Sequence, residues 1–259
     1  MALPTTFFGW VGFIINEYSE LLIGGLLSTL EIALLGTVIG FLIGLLVAIL
    51  RTIPIEEGDS AVKKTLLRIL RGILNIYIEV FRGTPMMVQA MVIYYGSLQV
   101  LGIDMSPGFA GILIVSINTG AYMAEIIRGG IISIDAGQKE AAYSIGMTHW
   151  QSMVHVILPQ AIRNILPSVG NELIVNIKDS SVLNVIGVSE LYFMAKSAAG
   201  TYLKYFETYF IIAVIYLVLT YATSRLLALI ERRMDGPANY VIHGSQSSSK
   251  AAIVVKGGE

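Results

Sequence analysis

The sequence predicts an all-α membrane protein, and three observations lead to this fold class. Of the 259 residues, 55% are hydrophobic and only 14% are charged, whereas about a quarter of the residues in soluble domains are charged. Basic residues are concentrated in alternate connecting segments. Several apolar stretches have the length of about 17–25 residues that a membrane-spanning helix requires. We therefore expect five transmembrane helices, near residues 21–50, 86–102, 108–127, 167–185 and 206–230.

The composition excludes several other classes of protein. The chain has no cysteine, which excludes disulfides, cysteine-based zinc sites and a cysteine nucleophile. The formal charge of −1 gives no indication of nucleic-acid binding. His149, His155 and His243 do not have the spacing of a metal site, so we expect no metal ligation. The N-terminus lacks the features of a cleaved signal peptide, and the first span is expected to be retained.

The first span carries Gly36, Gly40 and Gly44, each about one helical turn from the next. Small residues at this spacing allow another helix to approach closely. We expect this contact within the chain, with a dimer seam as the alternative. Glu31 lies in the same span, and the sequence leaves its role open.

A further helix is expected at residues 61–81, but its pattern differs from that of a membrane span. Its apolar residues form one stripe and its basic residues form another, so we interpret it as an amphipathic helix at the membrane interface. The basic stripe comprises Lys63, Lys64, Arg68 and Arg71. The apolar stripe comprises Leu66, Ile69, Leu70, Ile73 and Ile76.

The basic residues also predict the orientation of the chain, because cytoplasmic loops carry an excess of Lys and Arg. With an extracytoplasmic N-terminal segment at 1–20, every basic residue except Lys178, Lys196 and Lys204 falls on the cytoplasmic side. The transmembrane domain then covers 21–233, and residues 234–259 form a flexible cytoplasmic tail. The connection at 135–159 is also placed in the cytoplasm.

This connection is more ordered in its sequence than a simple linker. Asp135 and Gln138 have the spacing of a capping box, in which the Gln side chain reaches back to the cap residue. Gly146 can supply the left-handed residue that ends the first short helix. Thr148 and Gln151 repeat the start signal, and we expect the second short helix to end at Pro159. Two short helices at an angle indicate a docking element, with an amphipathic element lying on the lipid as the alternative.

The connection also resembles a known signature. Glu140-Ala141-Ala142, Gly146 and Leu158-Pro159 match the EAA signature of the membrane subunits of ABC importers, with Val156 where that signature usually has Ile. The segments 121–138 (AYMAEIIRGGIISIDAGQ) and 81–85 (FRGTP) resemble the polar amino acid branch, the permeases of the histidine, arginine and glutamine type. The similarity extends from about Gly25 to Arg233, which is nearly the whole membrane region.

The resemblance implies an ABC type I importer permease in the bacterial cytoplasmic (inner) membrane. In that family the loop forms coupling helices that contact the ATP-binding subunit, which assigns this role here to Glu140, Ala141, Ala142, Gly146, Leu158 and Pro159. The implied partners are two ATP-binding subunits, a second permease copy or paralogue, an extracytoplasmic solute-binding protein and a polar amino acid. The chain contains no phosphate loop of the Gly-x-x-x-x-Gly-Lys-[Ser/Thr] type. We therefore expect no cofactor in this chain, with ATP and Mg on the partner subunit.

Polar residues within the predicted spans are candidates for a substrate passage, because ionisable groups in a membrane are costly and usually face a cavity or a partner. Asn118, Tyr122 and Glu125 share one face of the third span. Lys178 and Asp179 together offer both charges that a free amino acid requires. The expected substrate or pore residues are Gln89, Asn118, Tyr122, Glu125, Lys178, Asp179, Ser180 and Ser181. The alternative is that Lys178 and Asp179 form structural ion pairs with neighbouring helices or across a dimer.

Three functions remain to be distinguished from the sequence. An ATP-driven importer subunit is favoured by the loop. An ion-driven secondary transporter would use Lys178, Asp179 and Glu125 as a relay, but it predicts inverted repeats that the sequence does not show. A channel or structural membrane protein is the third possibility. An enzyme is least favoured, since no nucleophile with an adjacent base is evident.

Overall fold

The structure is a computed structural model that describes residues 3–234, and every regular element in this range is helical. The predicted cytoplasmic tail lies outside the described residues, except that Met234 ends the last helix. A π-helical turn covers Met153–Ile157, and a 3₁₀ helix covers Ser180–Ile186. The ten α-helices in the described range are α1 (Phe7–Glu17), α2 (Ser19–Thr52), α3 (Ala61–Gly83), α4 (Met86–Leu101), α5 (Pro107–Ile132), α6 (Ala136–Ser144), α7 (His149–Ser152), α8 (Leu158–Asp179), α9 (Leu191–Tyr202) and α10 (Tyr205–Met234).

Helices α2, α5 and α10 are long and apolar enough to cross a membrane, and α4 is apolar but shorter. Four of the predicted spans coincide with α2, α4, α5 and α10. The remaining predicted span, at 167–185, coincides with the second half of α8 and the 3₁₀ helix that follows it. Helix α5 contacts α2, α3, α4 and α8. It therefore lies at the centre of the bundle.

A close contact joins α2 and α5 through the glycines of α2. A Cβ atom on Gly36 would lie 2.4 Å from Val115 Cγ1, and one on Gly44 would lie 2.4 Å from Met123 Cβ. Gly40 faces Thr119 in the same way, at 2.7 Å. The two helices therefore approach as closely as they do only because these positions lack side chains. The structure thus agrees with the predicted contact within the chain.

Helix α3 uses its basic residues differently from what the sequence suggested. Arg71 donates to the carbonyl oxygen of Ile53, and Lys64 Nζ donates to the carbonyl oxygen of Glu57 at 2.7 Å. Lys63 pairs with Asp59. Three of the four residues of the basic stripe therefore hold the segment 53–59 against the helix. The apolar stripe is exposed in the single chain, as expected for a surface that meets lipid or another subunit; its exposed members include Leu66, Ile69, Ile73 and Ile76.

The expectation that the second loop helix ends at Pro159 is wrong. The chain stays helical from α7 through the π turn into α8 and on through Pro167 to Asp179. Pro159 is the second residue of α8 and directly follows the π turn and Leu158, so it lies within a continuous helix. The π turn takes up the change in register, since Leu158 N bonds to Met153 O. The loop therefore joins α8 without a break.

Candidate functional site

The first candidate region is the docking loop, defined as residues 135–159, and its first helix is capped by local contacts. Asp135 Oδ1 accepts from Gly137 N at 2.7 Å and so caps α6. Gln138 does not reach back as expected, because its Oε1 accepts from Gln160 Nε2 at 3.4 Å. Ala142 is buried against the rest of the protein, whereas Glu140 and Ala141 are exposed. Helix α6 thus presents its Glu-Ala edge outward.

Gly146 separates the two loop helices as the sequence predicted. Its φ of +83° is the left-handed conformation that favours glycine. Gly146 N donates to Tyr143 O at 3.0 Å, and Met147 N donates to Ala142 O at 3.1 Å. These two bonds form a Schellman motif, which satisfies carbonyl groups at the end of α6. A substitution here would meet no neighbouring atom within 4 Å, so the backbone conformation alone requires glycine.

Helix α7 begins with a complete capping box. Gln151 N donates to Thr148 Oγ1 at 3.3 Å, and Thr148 N donates to Gln151 Oε1 at 2.9 Å. Trp150 on this helix is 60% exposed, a large aromatic surface with no cover in the single chain. Leu158 is half-buried and Pro159 is exposed, both in the first turn of α8. The loop therefore combines a locally fixed backbone with outward-facing side chains, an arrangement suited to binding a partner.

The second candidate region comprises the polar side chains within the bundle, and two of the predicted pore residues bind each other. Asn118 Nδ2 donates to Gln89 Oε1 at 2.8 Å. Gln89 Nε2 donates to the carbonyl oxygens of Phe81 and Thr84, both at 2.8 Å. Gln89 is buried, and its amide thereby ties α5 to the corner between α3 and α4.

Tyr122 and Glu125 continue along the same face of α5 and also meet neighbouring elements. Arg82 Cζ lies 5.4 Å from the centroid of the Tyr122 ring, a cation–π contact. Glu125 pairs with Arg51 at the end of α2 and with Arg128, whose Nη2 lies 2.8 Å from Glu125 Oε2. Two guanidinium groups therefore bind the Glu125 carboxylate. The ion relay of the secondary-transporter alternative would have to displace one of them.

Lys178 and Asp179 are exposed in the single chain, and neither has an ion-pair partner among residues 3–234. Lys178 lines an open groove of about 340 Å³ together with Ser181. Ser180, by contrast, is fully buried, and its hydroxyl donates to Ile177 O at 2.9 Å. The other residues of the groove are Tyr192, Tyr209, Ile212, Ala213 and Tyr216.

A buried network centred on Asn176 was not singled out by sequence reasoning. Asn176 Nδ2 donates to Thr37 Oγ1 at 2.8 Å, and Thr119 Oγ1 donates to Asn176 Oδ1 at 3.1 Å. The network joins α2, α5 and α8 beside the contact that Gly36, Gly40 and Gly44 make with α5, which we term the glycine seam. Its only sequence signal is the polarity of each residue in an apolar context, which does not reveal the pairing.

Glu190 is a second residue that the sequence did not reveal. Its carboxylate is fully buried and accepts from the backbone N–H groups of Tyr192 and Phe193, at 2.8 and 2.7 Å. Tyr216 OH on α10 also donates to it, at 3.2 Å. Glu190 therefore caps α9 and fastens it to α10. An acidic residue just before an apolar helical stretch was the available signal.

No group of three or more potential metal ligands occurs in the described part of the chain. His149 Nδ1 lies 3.0 Å from Tyr143 OH, and His155 Nδ1 lies 3.0 Å from Gln151 O. Both histidines thus make local contacts within the docking loop. His243 lies outside the described residues.

Comparisons with known proteins identify the relatives of this chain. The family model described as "Binding-protein-dependent transport system inner membrane component" matches residues 61–236. The glutamine transport system permease protein GlnP of Escherichia coli (strain K12) is 39% identical over 217 residues, which are 83% of this chain and 93% of that protein. The arginine transport system permease protein ArtQ of Bacillus subtilis (strain 168) is 35% identical over 210 residues, which are 81% and 90% of the two chains.

A solved structure of an amino acid ABC transporter has a similar fold. A chain from the crystal structure of an amino acid ABC transporter with histidines superposes with a TM-score of 0.73 at 44% sequence identity. The superposition covers 85% of this chain and 96% of that chain. The resemblance drawn from the EAA signature is therefore confirmed, and the ion-driven alternative has no support. The chain belongs to the family of inner membrane components of binding-protein-dependent transport systems, as a non-catalytic permease subunit of the ABC importer type.

Proposed function

We propose that this chain forms one half of the membrane passage of an ATP-driven importer for a polar amino acid. The relatives named for glutamine and arginine transport support this substrate class. The other half is a second copy or a paralogue, two ATP-binding subunits that carry ATP and Mg supply the energy, and a solute-binding protein delivers the substrate. In the proposed topology five spans cross the membrane, with the N-terminus outside and the docking loop in the cytoplasm.

The observation that carries the proposal is the shape of the docking loop. Helix α6 packs inward through Ala142 and presents Glu140 and Ala141 outward, and Trp150 on α7 is exposed beside it. The small Ala141 side chain allows another surface to approach the helix closely. The backbone is already fixed by the Asp135 cap and the Gly146 motif, so little ordering entropy is lost on docking.

The docking loop also has a continuous path to the membrane helices. The chain remains helical from α7 through the π turn to the end of α8. A displacement of α7 by an ATP-binding subunit therefore moves α8, which carries Lys178 and Asp179 at its far end. In this mechanism, closure of the ATP-binding subunits is transmitted through α6 and α7 and switches the access of the passage between the two sides.

In the passage we assign the direct substrate contacts to Tyr122, Lys178, Asp179 and Ser181. Unpaired charges at membrane depth are costly unless they face water or a partner, which favours a wet passage beside Lys178 and Asp179. An amino acid presents an ammonium and a carboxylate, and these two residues offer the complementary charges. The remaining predicted residues have partners within the chain and position the passage; they are Gln89, Asn118, Glu125 and Ser180.

The decisive experiment measures amino acid-stimulated ATP hydrolysis by the full complex in nanodiscs. Glu140→Ala removes the exposed charge at the expected ATP-binding-subunit interface, and we expect the stimulated rate to fall by about tenfold, as for a residue central to an interface. Ser144→Ala is the matched control, since Ser144 lies on the same helix and its hydroxyl bonds only to Ala141 O. Full stimulation of the Glu140→Ala complex, or equal losses in both variants, would show that the docking assignment is wrong.

A further inference from the structure

The junction between α3 and α4 interrupts the helical backbone at the depth of the middle of α5. Helix α3 ends at Gly83, Thr84 is extended with a φ of −123° and a ψ of 148°, and α4 begins after Pro85. Asn118 Nδ2 reaches Phe81 O at this junction, at 3.3 Å. Helix α5 runs from 107 to 132 and is long enough to cross a membrane, so Asn118 lies about 16 Å from its start and about 21 Å from its end.

The residues of the junction, at 82–85, are all exposed in the single chain. Non-helical backbone at membrane depth occurs only where it is buried in protein or lines a water-filled cavity, since lipid cannot bond to free N–H and C=O groups. Gln89 Nε2 binds the carbonyl oxygens of Phe81 and Thr84 from one side, at 2.8 Å each. We therefore expect the open side of the junction to face the space between the two permease subunits rather than lipid.

Arg82 places a charge at this junction. Its Cζ lies 5.4 Å from the centroid of the Tyr122 ring, and this cation–π contact holds the guanidinium group against the face of α5. Arg82 is exposed and makes no ion pair with any residue in the range 3–234. Charged side chains can reach the membrane surface only from near the ends of a helix, and those deeper in the membrane face a water-filled cavity or a partner. Arg82 thus offers a positive charge to the passage itself.

The other charges near Arg82 include two carboxylates. The charges of Arg82 and Asp179 both act on Glu172 of α8, so the three groups lie close together. Lys178 is the exposed neighbour of Asp179, and Glu125 is already bound by two guanidinium groups. In formal charges, the two free carboxylates are balanced by Lys178 and Arg82. Without Arg82 this set would have a net charge of −1 in each subunit, which attracts cations.

We propose that Arg82 is an electrostatic barrier that keeps inorganic cations out of the passage. A fixed arginine charge in a narrow pore excludes cations, and in a passage between two copies two-fold symmetry places two Arg82 groups at the same depth. The barrier has a purpose, because the membrane potential drives any cation that enters a wet passage into the cell. The inference rests on the proposed function in that it requires this passage.

The same charge leaves the passage open to amino acids. Every free amino acid carries a carboxylate, and the attraction between this group and Arg82 offsets the repulsion of its ammonium group or of a cationic side chain. Na⁺ has no such compensating group. Arg82 therefore distinguishes solutes by whether they carry a carboxylate, which is a selectivity separate from the direct contacts assigned to Lys178 and Asp179.

The test measures ion leakage through the complete complex in proteoliposomes with the ATP-binding subunits facing outward. The lumen contains the solute-binding protein, L-glutamine, Na⁺ and a Na⁺-sensitive dye; ATP and Mg are added outside, and a K⁺ gradient with valinomycin makes the lumen positive. We expect the wild-type complex to leak Na⁺ no faster than protein-free vesicles. Arg82→Gln should raise Na⁺ efflux at least about tenfold, the lower end of the effect of a cleft of one charge on local ion concentration. Chloride influx at the same potential, followed with a chloride-sensitive dye, should not rise.

Matched variants separate the charge from other effects of the substitution. Arg82→Lys keeps the charge and should leak no more Na⁺ than wild type. Arg68→Gln removes an exposed arginine without an ion pair in the described range, on the same helix but about 21 Å nearer its cytoplasmic start, and should also remain tight. L-Glutamine-stimulated ATP hydrolysis in the same vesicles shows that each complex is folded and assembled.

Arg82→Cys gives a second test after assembly, because the chain has no cysteine of its own. A methanethiosulfonate reagent that attaches a trimethylammonium group should reduce the Na⁺ leak of this variant, whereas one that attaches a neutral methyl group should leave it unchanged. The wild-type complex treated with both reagents is the control for cysteines on the other subunits.

The outcomes separate this inference from the proposed function. Equal Na⁺ leakage in wild type, Arg82→Gln and Arg82→Cys overturns the barrier, and normal stimulation of ATP hydrolysis would then leave the proposed function intact. Leakage of Na⁺ and chloride alike also overturns the barrier, since it would show that Arg82 closes the passage by its bulk. A wild-type complex that L-glutamine does not stimulate contradicts the proposed function, whereas a leak selective for Na⁺ in Arg82→Gln would still support the barrier.

Discussion

The docking loop and the seam between α2, α5 and α8 use polar side chains in opposite ways. In the loop, hydrogen bonds join near neighbours, such as Gly137 with Asp135 and Gln151 with Thr148. In the seam, Asn176 joins residues 57 and 139 positions away, and its side chain is buried. The loop therefore keeps its shape with little help from the rest of the fold, and side chains such as Glu140 and Trp150 are exposed. The seam depends on the whole bundle and fixes three helices.

The strongest way to test this difference is to disrupt the seam at Gly44. In Gly44→Ala the new Cβ would lie 2.4 Å from Met123 Cβ and 2.8 Å from Ala124 N. Because the backbone of α5 would have to move, we expect the free energy of unfolding to fall by about 3 kcal/mol. This is the upper end of the usual range for overpacking. The measurement is the melting temperature of the purified permease in detergent.

Gly24→Ala provides the control for Gly44→Ala on the same helix, since its Cβ would meet nothing within 4 Å. This variant should melt no lower than wild type, because alanine is favoured over glycine inside a helix by about 0.5–1 kcal/mol. Equal melting temperatures for the two glycine variants would contradict the close approach of α2 and α5.

Replacing Asn176 by Leu tests the polar part of the seam. The Thr119 hydroxyl loses its acceptor and Thr37 loses a donor, while Thr37 keeps its own bond to Ala33 O. We expect a loss of about 1–2 kcal/mol, because hydrogen bonds between membrane helices contribute about 0.6 kcal/mol on average and about 1.7 at most. Asn171→Leu on an exposed position of α8 is the control. If Asn176→Leu were as stable as this control, the network would not be what holds the helices together.

In the loop, Gly146→Ala should have a smaller and more local effect. The side chain meets no atom, so only the positive φ is penalised, by about 1 kcal/mol. We expect faster hydrogen exchange in α6 and α7, a nearly unchanged melting temperature, and a decrease of up to about fivefold in amino acid-stimulated ATP hydrolysis. Gly129→Ala, at an exposed position with open space and without a positive φ, is the control. Global unfolding of the Gly146 variant at a clearly lower temperature would contradict the view that the loop is locally determined.

The smallest expected effect is a pH dependence of the loop through His149. Partial burial, and secondarily the positive charge of Lys139, hold the pKa of His149 below its ordinary value of 6.5, while Glu56 acts in the opposite direction. Tyr143 OH contacts the ring at Nδ1. Because the unfolded loop binds a proton more readily, the stabilising contribution is complete above about pH 6.5 and is lost as the pH falls towards the folded pKa. Hydrogen exchange in α6–α7, corrected for intrinsic rates, should therefore show less protection at acidic pH, and His149→Gln should abolish this dependence. A wild-type loop with constant protection would contradict it.

The docking loop could largely be predicted from the sequence because its signals act over a few residues. The Asp135 cap, the left-handed Gly146 and the Thr148–Gln151 box all form as expected. Of the two errors, one arises from a longer-range contact, since Gln138 binds Gln160 on α8. The other is local, since the helix continues through Pro159 because the π turn shifts its register.

The polar residues of the bundle were recognised individually, but their pairing was not. Gln89 and Asn118 were both expected to face a passage, and the structure joins them to each other across α4 and α5. Glu125 was expected in the same role and is held by Arg51, which is 74 residues away. Polarity within an apolar segment predicts that a residue has a partner, but the partner is determined only when the helices pack.

The sequence by itself determined the membrane class, the helical fold, the caps and the left-handed glycine of the loop at 135–159, and the family, because composition, periodicity, caps and motif spacing are local properties of the chain. Only the tertiary structure decided which polar groups are satisfied internally and which remain open, as in the contrast between Ser180 and its exposed neighbours Lys178 and Asp179. It also placed Arg82 of α3 beside Tyr122 of α5. The physical reason is that burial and hydrogen bonding in the bundle depend on helices distant in the sequence, and their relative positions are fixed by packing such as the Gly36–Gly44 seam.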